Sequence, residues 1–394
     1  MTVLVINCGS SSVKFQLIDL GGDETSTRQD DELKGVIERI GTETPDHMAA
    51  LGLVAERVQA HLSKTGGNLT AIGHRVVHGG AEYSEPTLIT DQVIETIDRL
   101  SVLAPLHNPA NNDGIRAASR NFPGLPQVAV FDTAFHATMP KAHRTYAVPV
   151  EWEHEYGVRR YGFHGTSHAF VSRACAKWLQ AERQINPANS RIVVLHLGNG
   201  ASACAVAGGK SVDTSMGLTP LPGLVMGTRS GDVDPAVFGH LNRVADMSVE
   251  EVETALNRDS GMAGLCGDGD MRAIEARLAA GDEQAELAMN VYIHRIRSTI
   301  GAYIATLGGV DAVAFTAGVG ENSETVRAKI ATGLEGLGIS LDANRNKGRG
   351  SDPSGIREIS AASSTVSLLV IPTNEELEIA TQTNQVITRL QQRG

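Results

Sequence analysis

Aromatic side chains make up only 4% of this chain, cysteine occurs four times in 394 residues, and no apolar run approaches the length of a membrane span. Each scarcity excludes something. Cys8, Cys175, Cys204 and Cys266 are scattered with no CxxC pair, so they read as reduced, small residues of a cytoplasmic protein. Without about 20 consecutive apolar residues there is no helix to cross a bilayer. The first strand begins almost at once, which leaves no N-terminal signal in the expectation. Net charge is −11, which argues against a nucleic-acid surface or an anionic membrane face and confines useful cations to a cleft. Neither GxxxxGK[ST] nor GxGxxG with its downstream acid occurs, so the P-loop and dinucleotide readings both fall.

What the chain has instead is glycine, 42 residues of it, in a length sufficient for two domains. Abundant glycine with few aromatics suits an enzyme rich in βα turns. The opening MTVLVINCGSSSVKFQLIDL reads as a buried strand at Val3–Ile6, a turn of small residues, and a second strand through Val13, Phe15, Leu17 and Leu20. Two readings of that turn stand side by side. One is an ordinary hairpin; the other is an anion cradle of N–H groups and serine hydroxyls, with Lys14 adding charge. RIVVLHLGNGASACAVAGG, from Arg191, repeats the design, and both units are followed by alternating helices and strands. That recurrence predicts a duplicated α/β domain.

Apolar spacing predicts helices over 48–64 and 283–307. Helix starts are expected at Asn108 with Pro109 behind it, at Thr166 or Ser167, at the Ser248/Glu251 capping box, and at Asn374. The polar stretch 141–165 reads as a junction. Three turns, Gly9–Ser12, Gly198–Ser202 and Gly318–Asn322, follow buried strands and carry no bulky side chain, so backbone can approach a ligand closely. Together with the duplication they point to a nucleotide held between two domains.

Charged residues in apolar or Gly-rich settings mark the remaining candidates. Arg75 in HRVVHGG is either a strand-end ion-pair partner or an anion ligand. Arg229 lies in TPLPGLVMGTRSGDVDP, a long ordered loop of a kind that is commonly functional. His164 precedes a helix start and reads as a cap or a catalytic group. The pairs His74/His78 and His164/His168 share zinc-like spacing, but neither has the HExxH glutamate, and His74/His78 flank a strand.

The ordered set NCGSSSVKF, HRVVHGG, PLHNPAN, FDTAFH, RRYGFHGTSH, HLGNGAS, GLTPLPGLVMGTRSGDVDP, FTAGVGEN and IPTNEEL resembles the acetate kinase family from residue 3 to about residue 380. The resemblance implies the sugar kinase, Hsp70 and actin superfamily fold: two actin-like, ribonuclease H-like α/β lobes around a central cleft. The expected lobes are residues 1–148 completed by 374–394, and residues 149–373. It further implies an ATP-phosphate loop at His196, Leu197, Gly198, Asn199 and Gly200, joined by Lys14, Ser10 and Ser12. An adenosine-side loop is implied at Gly318, Val319, Gly320, Glu321 and Asn322, with a further nucleotide contact at Asp270, Met271 and Arg272. Asn7 and Glu375 match magnesium-associated positions, with Mn²⁺ as a substitute ion. Arg75 matches the carboxylate ligand, Asp132 the position given as catalytic, His164 and Arg229 the transition-state stabilisers, and His107 a further active-site histidine. Val77, Leu106, Phe163 and Pro220 match the pocket for the acetate methyl. The family is homodimeric and cytoplasmic, and acts on acetate and ATP, or on acetyl phosphate and ADP.

The chemistry wants these groups. A short carboxylic acid has a pKa near that of Glu, about 4.3, so the acceptor is already ionised at neutral pH and needs no general base. It needs cations that hold two anions in line and take up charge on the phosphoryl oxygens. Asp132 is therefore expected to orient an arginine or the metal shell. Propionate or butyrate is the alternative acceptor. A non-catalytic nucleotide switch on the same fold would keep the phosphate loops and lose Arg75, His164 and Arg229, all present here.

Overall fold

In the computed structural model, residues 1–21, 33–348 and 355–392 are described. The opening hairpin forms as expected. β1 (Thr2–Cys8) and β2 (Ser12–Asp19) pair antiparallel with Asn7 opposite Lys14, and Gly9 N–H donates to Ser12 O at 2.8 Å to close the turn. β3 (Leu33–Glu38) pairs antiparallel with β2. β4 (Leu69–Val76) lies parallel to β1, β6 (Gln127–Phe131) parallel to β4, and β5 (Thr87–Leu88) antiparallel at the edge. The sheet order is β3-β2-β1-β4-β6-β5.

A second sheet is built from β7 (Arg191–Leu197), β8 (Ala201–Ala207), β9 (Lys210–Thr214), β10 (Ala312–Thr316), β11 (Arg357–Glu358) and β12 (Ser367–Val370). Its order, read as β9-β8-β7-β10-β12-β11, matches the first strand for strand, with the same parallel and antiparallel partners. The duplicated α/β architecture is thus present at the level of strand connectivity. Contacts divide the chain into Met1–Ala137 with Asn374–Gly394, and Thr138–Thr373.

Period-two alternation decides which side chains face the site. Leu4, Ile6 and Cys8 of β1 and Val13, Phe15 and Leu17 of β2 are buried in one cluster with Leu51, Val54 and Val58 of the helix His47–Thr65. Asn7 and Lys14 therefore stand on the opposite face. The helix Glu375–Gln391 packs against β4, so closely that a β-carbon on Gly73 would lie 2.5 Å from Thr383 Oγ1. Arg75 alternates with His74 and shares the side of Gly73, near the carboxyl end of its strand.

The helices His47–Thr65 and Glu283–Leu307, the capping box at Ser248/Glu251 and the Asn374 cap onto Leu377 N–H all form as read. Three local expectations are corrected. The helix Asn108–Asn121 has His107 rather than Asn108 at its N-cap position, with no side-chain cap bond, and the Asn108 amide is used elsewhere, accepting from His78 N–H and donating to His78 O. The helix Gly165–Arg183 starts after His164, placing Thr166 and Ser167 inside it. The GVGEN turn is itself a short helix, Ala317–Asn322, whose first N–H, from Ala317, donates to Glu321 Oε1 at 2.9 Å. All four cysteines are buried thiols, and burial pushes Cys8 and Cys204 up to about 12. Among the described residues no helix is long and apolar enough to cross a membrane.

Candidate active site

In the first unit the site residues come from three parallel strand ends and one helix start. Arg75 Nε donates to Asp132 Oδ1 at 3.1 Å and Arg75 Nη2 to Asp132 Oδ2 at 2.5 Å, while Nη1 donates to Asn7 Oδ1 at 3.4 Å. Burial works against the Arg75 charge, but Asp132 and then Glu375 outweigh it and raise its pKa. Burial likewise lifts Asp132, with the Arg75 guanidinium opposing the lift. The guanidinium keeps its protons and donates to both Asp132 oxygens, an arrangement that calls for the carboxylate form. Of the two readings of Arg75 made from sequence, the strand-end ion-pair partner is the one seen here, with Asp132 fixing its fork.

Asparagines hold the backbone behind this group. Asn111 Oδ1 accepts from Val77 N–H at 3.0 Å and its amide donates to Cys8 O at 2.6 Å, so one buried side chain ties the turn after β4 to the end of β1. Val77 is buried and Leu106 is 61% exposed; His107 is half-buried at its cap position. Lys14 and Ser10 are exposed and Ser12 half-buried around the hairpin turn.

In the second unit three histidines and two serines are linked. His164 sits in the left-handed region at φ 56°, ψ 29°, and its Nδ1 lies 2.9 Å from Ser202 Oγ. His168 Nε2 lies 2.7 Å from the same oxygen. The His164 ring stacks on His196 at 4.2 Å between centroids, and His196 Nδ1 shares a hydrogen bond with Ser167 Oγ at 2.8 Å. His164 thus occupies a cap position without capping: its ring is committed sideways.

Arg229 lies beside this cluster. Among the described residues it has no carboxylate partner; Nη1 donates to Pro220 O at 3.3 Å and approaches Met226 Sδ at 3.9 Å. Burial lowers its pKa. A β-carbon on Gly200 would lie 3.5 Å from His164 Nε2 and 3.7 Å from Arg229 Nη1, ordinary contact distances that place both groups around one point. Phe163 is buried and Pro220 half-buried nearby in sequence.

A cavity of about 570 Å³ adjoins these groups, within the range of small-molecule sites. Of the expected nucleotide residues, Gly198, Asn199, Asp270, Met271, Arg272, Gly318, Val319 and Asn322 line it. His196, Leu197, Gly200, Gly320 and Glu321 do not, nor do Ser10, Ser12 and Lys14. The Glu321 carboxylate instead accepts from Thr373 N–H at 3.1 Å as well as from Ala317 N–H at 2.9 Å, bracing the loop from behind. Asp270 and Arg272 pair with each other at 2.7 Å on the exposed rim. Gly227, Met262, Glu275, Tyr292 and Ser323 also line the cavity and were invisible as site residues in the sequence. A second cavity, about 580 Å³, lies in the first unit between Val58, Leu62, Asn121 and Phe122, and has no charged side chain in its lining.

The model of the Acetokinase family matches residues 2–381. The chain is 55% identical to the acetate kinase of Streptomyces avermitilis, covering 98% of this chain and 97% of that protein. Among solved structures it is similar to Porphyromonas gingivalis acetate kinase, with TM-score 0.88, 40% identity and coverage of 98% and 99%. It is also similar to a propionate kinase from Francisella tularensis, with TM-score 0.84, 40% identity and the same coverage.

Proposed function

The chain belongs to the acetokinase family, and on that premise we propose that it transfers the γ-phosphoryl of ATP to acetate, reversibly, giving acetyl phosphate and ADP. The observation that carries the reading is Arg229: a half-buried guanidinium with no carboxylate partner among the described residues, converging with His164 Nε2 on Gly200. A cation kept without a counter-ion is ready for one brought by substrate. Phosphoryl transfer spreads charge over equatorial oxygens, which suits one planar donor and one imidazole donor better than any nucleophile.

Arg75, aimed by Asp132, holds the acetate carboxylate, and Val77, Leu106, Phe163 and Pro220 take the methyl group. His107 completes the acceptor side. The backbone of His196–Gly200 and the side chains of Lys14, Ser10 and Ser12 take the phosphates; Gly318–Asn322 and Asp270–Arg272 take the adenosine side. Residues 1–148 with 374–394, and residues 149–373, act as the two lobes, and the working form is a cytoplasmic homodimer.

Mg²⁺, or Mn²⁺, fits Asn7 Oδ1 and the Glu375 carboxylate, hard oxygen donors beside Arg75 and Asp132. Among the described residues no group of three or more His, Cys, Asp or Glu gathers to hold a metal. That suits an ion which keeps its waters and borrows phosphate oxygens. When bound, it neutralises charge on the nucleotide phosphates.

A propionate kinase among the similar structures keeps longer acids in view, since one methylene is worth only about 1–3 kcal/mol in such a pocket. The test is acyl phosphate formation from MgATP, trapped as the hydroxamate, with acetate, propionate and butyrate compared beside Arg75→Ala. Strong acetate turnover that collapses in the variant supports the reading. Absence of acyl phosphate with every acid, despite nucleotide binding, overturns it.

A further inference from the structure

We propose that Ser202 is a positioning residue that sets the tautomer of His164 and couples it to that of His168. The inference rests on the reading above, in which His164 meets the transferring phosphoryl group. Ser202 lies on β8 and is fully buried. Among the described residues its hydroxyl has two partners, His164 Nδ1 at 2.9 Å and His168 Nε2 at 2.7 Å.

A hydroxyl has one proton, and a buried one is given to an available acceptor. The acceptors here are the two ring nitrogens. One imidazole therefore receives the Ser202 proton, and the other donates its own N–H into the Ser202 oxygen. If Ser202 donates to His164 Nδ1, neutral His164 carries its proton on Nε2, and His168 is the Nε2–H tautomer. If the chain runs the other way, neutral His164 carries its proton on Nδ1 and presents a lone pair at Nε2.

The edge that matters is Nε2. It is this atom that lies 3.5 Å from the position a Gly200 β-carbon would take, with Arg229 Nη1 3.7 Å from the same point. Phosphoryl oxygens only accept, so the productive arrangement is His168 Nε2–H to Ser202 to His164 Nδ1, leaving Nε2–H toward the phosphoryl group. Protonation of His164 to the imidazolium reverses the chain only as a relay. Nδ1 takes the Ser202 proton, Ser202 takes the His168 Nε2 proton, and His168 takes the incoming proton on Nδ1. Nδ1–H of His164 then donates to Ser202, and Ser202 to His168 Nε2. The two ring edges are not interchangeable, since the ring is stacked on His196 and its backbone is held at φ 56°. Neither histidine can change tautomer alone.

The test uses the full-length protein labelled with ¹⁵N-histidine, with two-bond ¹H–¹⁵N correlations reporting each tautomer and His164→Gln assigning the signals. Neutral His164 in the wild type is expected as the Nε2–H form. In Ser202→Ala it becomes a mixture, and kcat for acetyl phosphate falls about tenfold, the worth of one hydrogen bond, while KM for acetate and MgATP stays within about twofold. Ser202→Thr restores both. His168→Gln, whose amide N–H replaces the Nε2–H donor, keeps the His164 tautomer even if the serine variants do not fold. An unchanged His164 signal in Ser202→Ala, or a wild-type His164 in the Nδ1–H form, overturns the proposal. The tautomer is read without substrate, so an inactive wild-type protein would overturn the acyl-phosphate reading separately.

Discussion

Asp132 engages Arg75 through both carboxylate oxygens, at 3.1 and 2.5 Å, while remaining 1% exposed. A carboxylate committed on both oxygens to one guanidinium is poorly placed to act as a base, and an acceptor already ionised asks for none. The role we propose for it is to aim Arg75. Asp132→Ala leaves a largely buried cation without its hydrogen-bonded carboxylate and is expected to cost up to about 3–5 kcal/mol of stability, less whatever Glu375 makes good, read by urea denaturation. Asp132→Asn keeps the shape but not the charge, and turnover should fall at least about hundredfold, the scale of losing an aligned charged donor. Near-normal turnover with unchanged Mg²⁺ dependence would count against the aiming role.

Arg229 presents the opposite case. Its only polar contacts among the described residues are a carbonyl at 3.3 Å and a thioether at 3.9 Å, so the folded protein gains little from its charge. Arg229→Ala should leave the denaturation midpoint nearly unchanged while lowering kcat about thousandfold, as for other arginines that stabilise phosphoryl transfer. A variant that loses stability and activity in parallel would show the residue to be structural.

His74 supplies a pH prediction. It is 2% exposed, its Nε2 shares a hydrogen bond with Gln127 Oε1 at 2.7 Å, and burial lowers its pKa to about 4. An unfolded chain protonates the same imidazole near 6.5, so between these values the unfolded state binds more protons. The associated stability, about 3 kcal/mol at most, is present above pH 6.5 and is lost as pH falls toward 4. Unfolding free energy measured across that window should slope less steeply in His74→Leu than in the wild type. Equal slopes would remove His74 as a cause of acid sensitivity.

Tyr292 lines the cavity of the second unit, and its buried hydroxyl has no partner among the described residues. Removing an unsatisfied buried hydroxyl is neutral or stabilising, by up to about 1 kcal/mol, whereas removing a bonded one costs about that much. Tyr292→Phe is therefore expected to unfold at the same or higher urea concentration. A clear drop in midpoint would reveal a hydrogen bond held through water.

Much of the fold was legible because it is written in local periodicity. The opening hairpin was read as two strands about a turn of small residues, and the structure adds its register, with Asn7 and Lys14 as direct partners. The duplication was legible from two matching strand–turn–strand units and extends to the whole strand order. GVGEN shows where the reading stopped. As a string it is one loop; coiled into a helical turn, it sends Val319 and Asn322 to the cavity and Glu321 behind it to Thr373.

Asn111 carried no site signal in the sequence, and Ser202 and His168 were visible only as the end of a glycine turn and half of a zinc-like spacing, because their actual partners lie far away in the chain. Asn111 bonds Cys8 across 103 positions, and Ser202 bonds His168 across 34. By itself the sequence determined what depends on residue type and short-range spacing: the α/β class, the duplication, the glycine turns and the cations available to hold anions. Only the tertiary structure decided which arginine is paired and which is not, and which hydroxyl lies between two imidazoles. Hydrogen bonds and ion pairs act over about 3 Å, and the distances between residues far apart in the chain are set by packing alone.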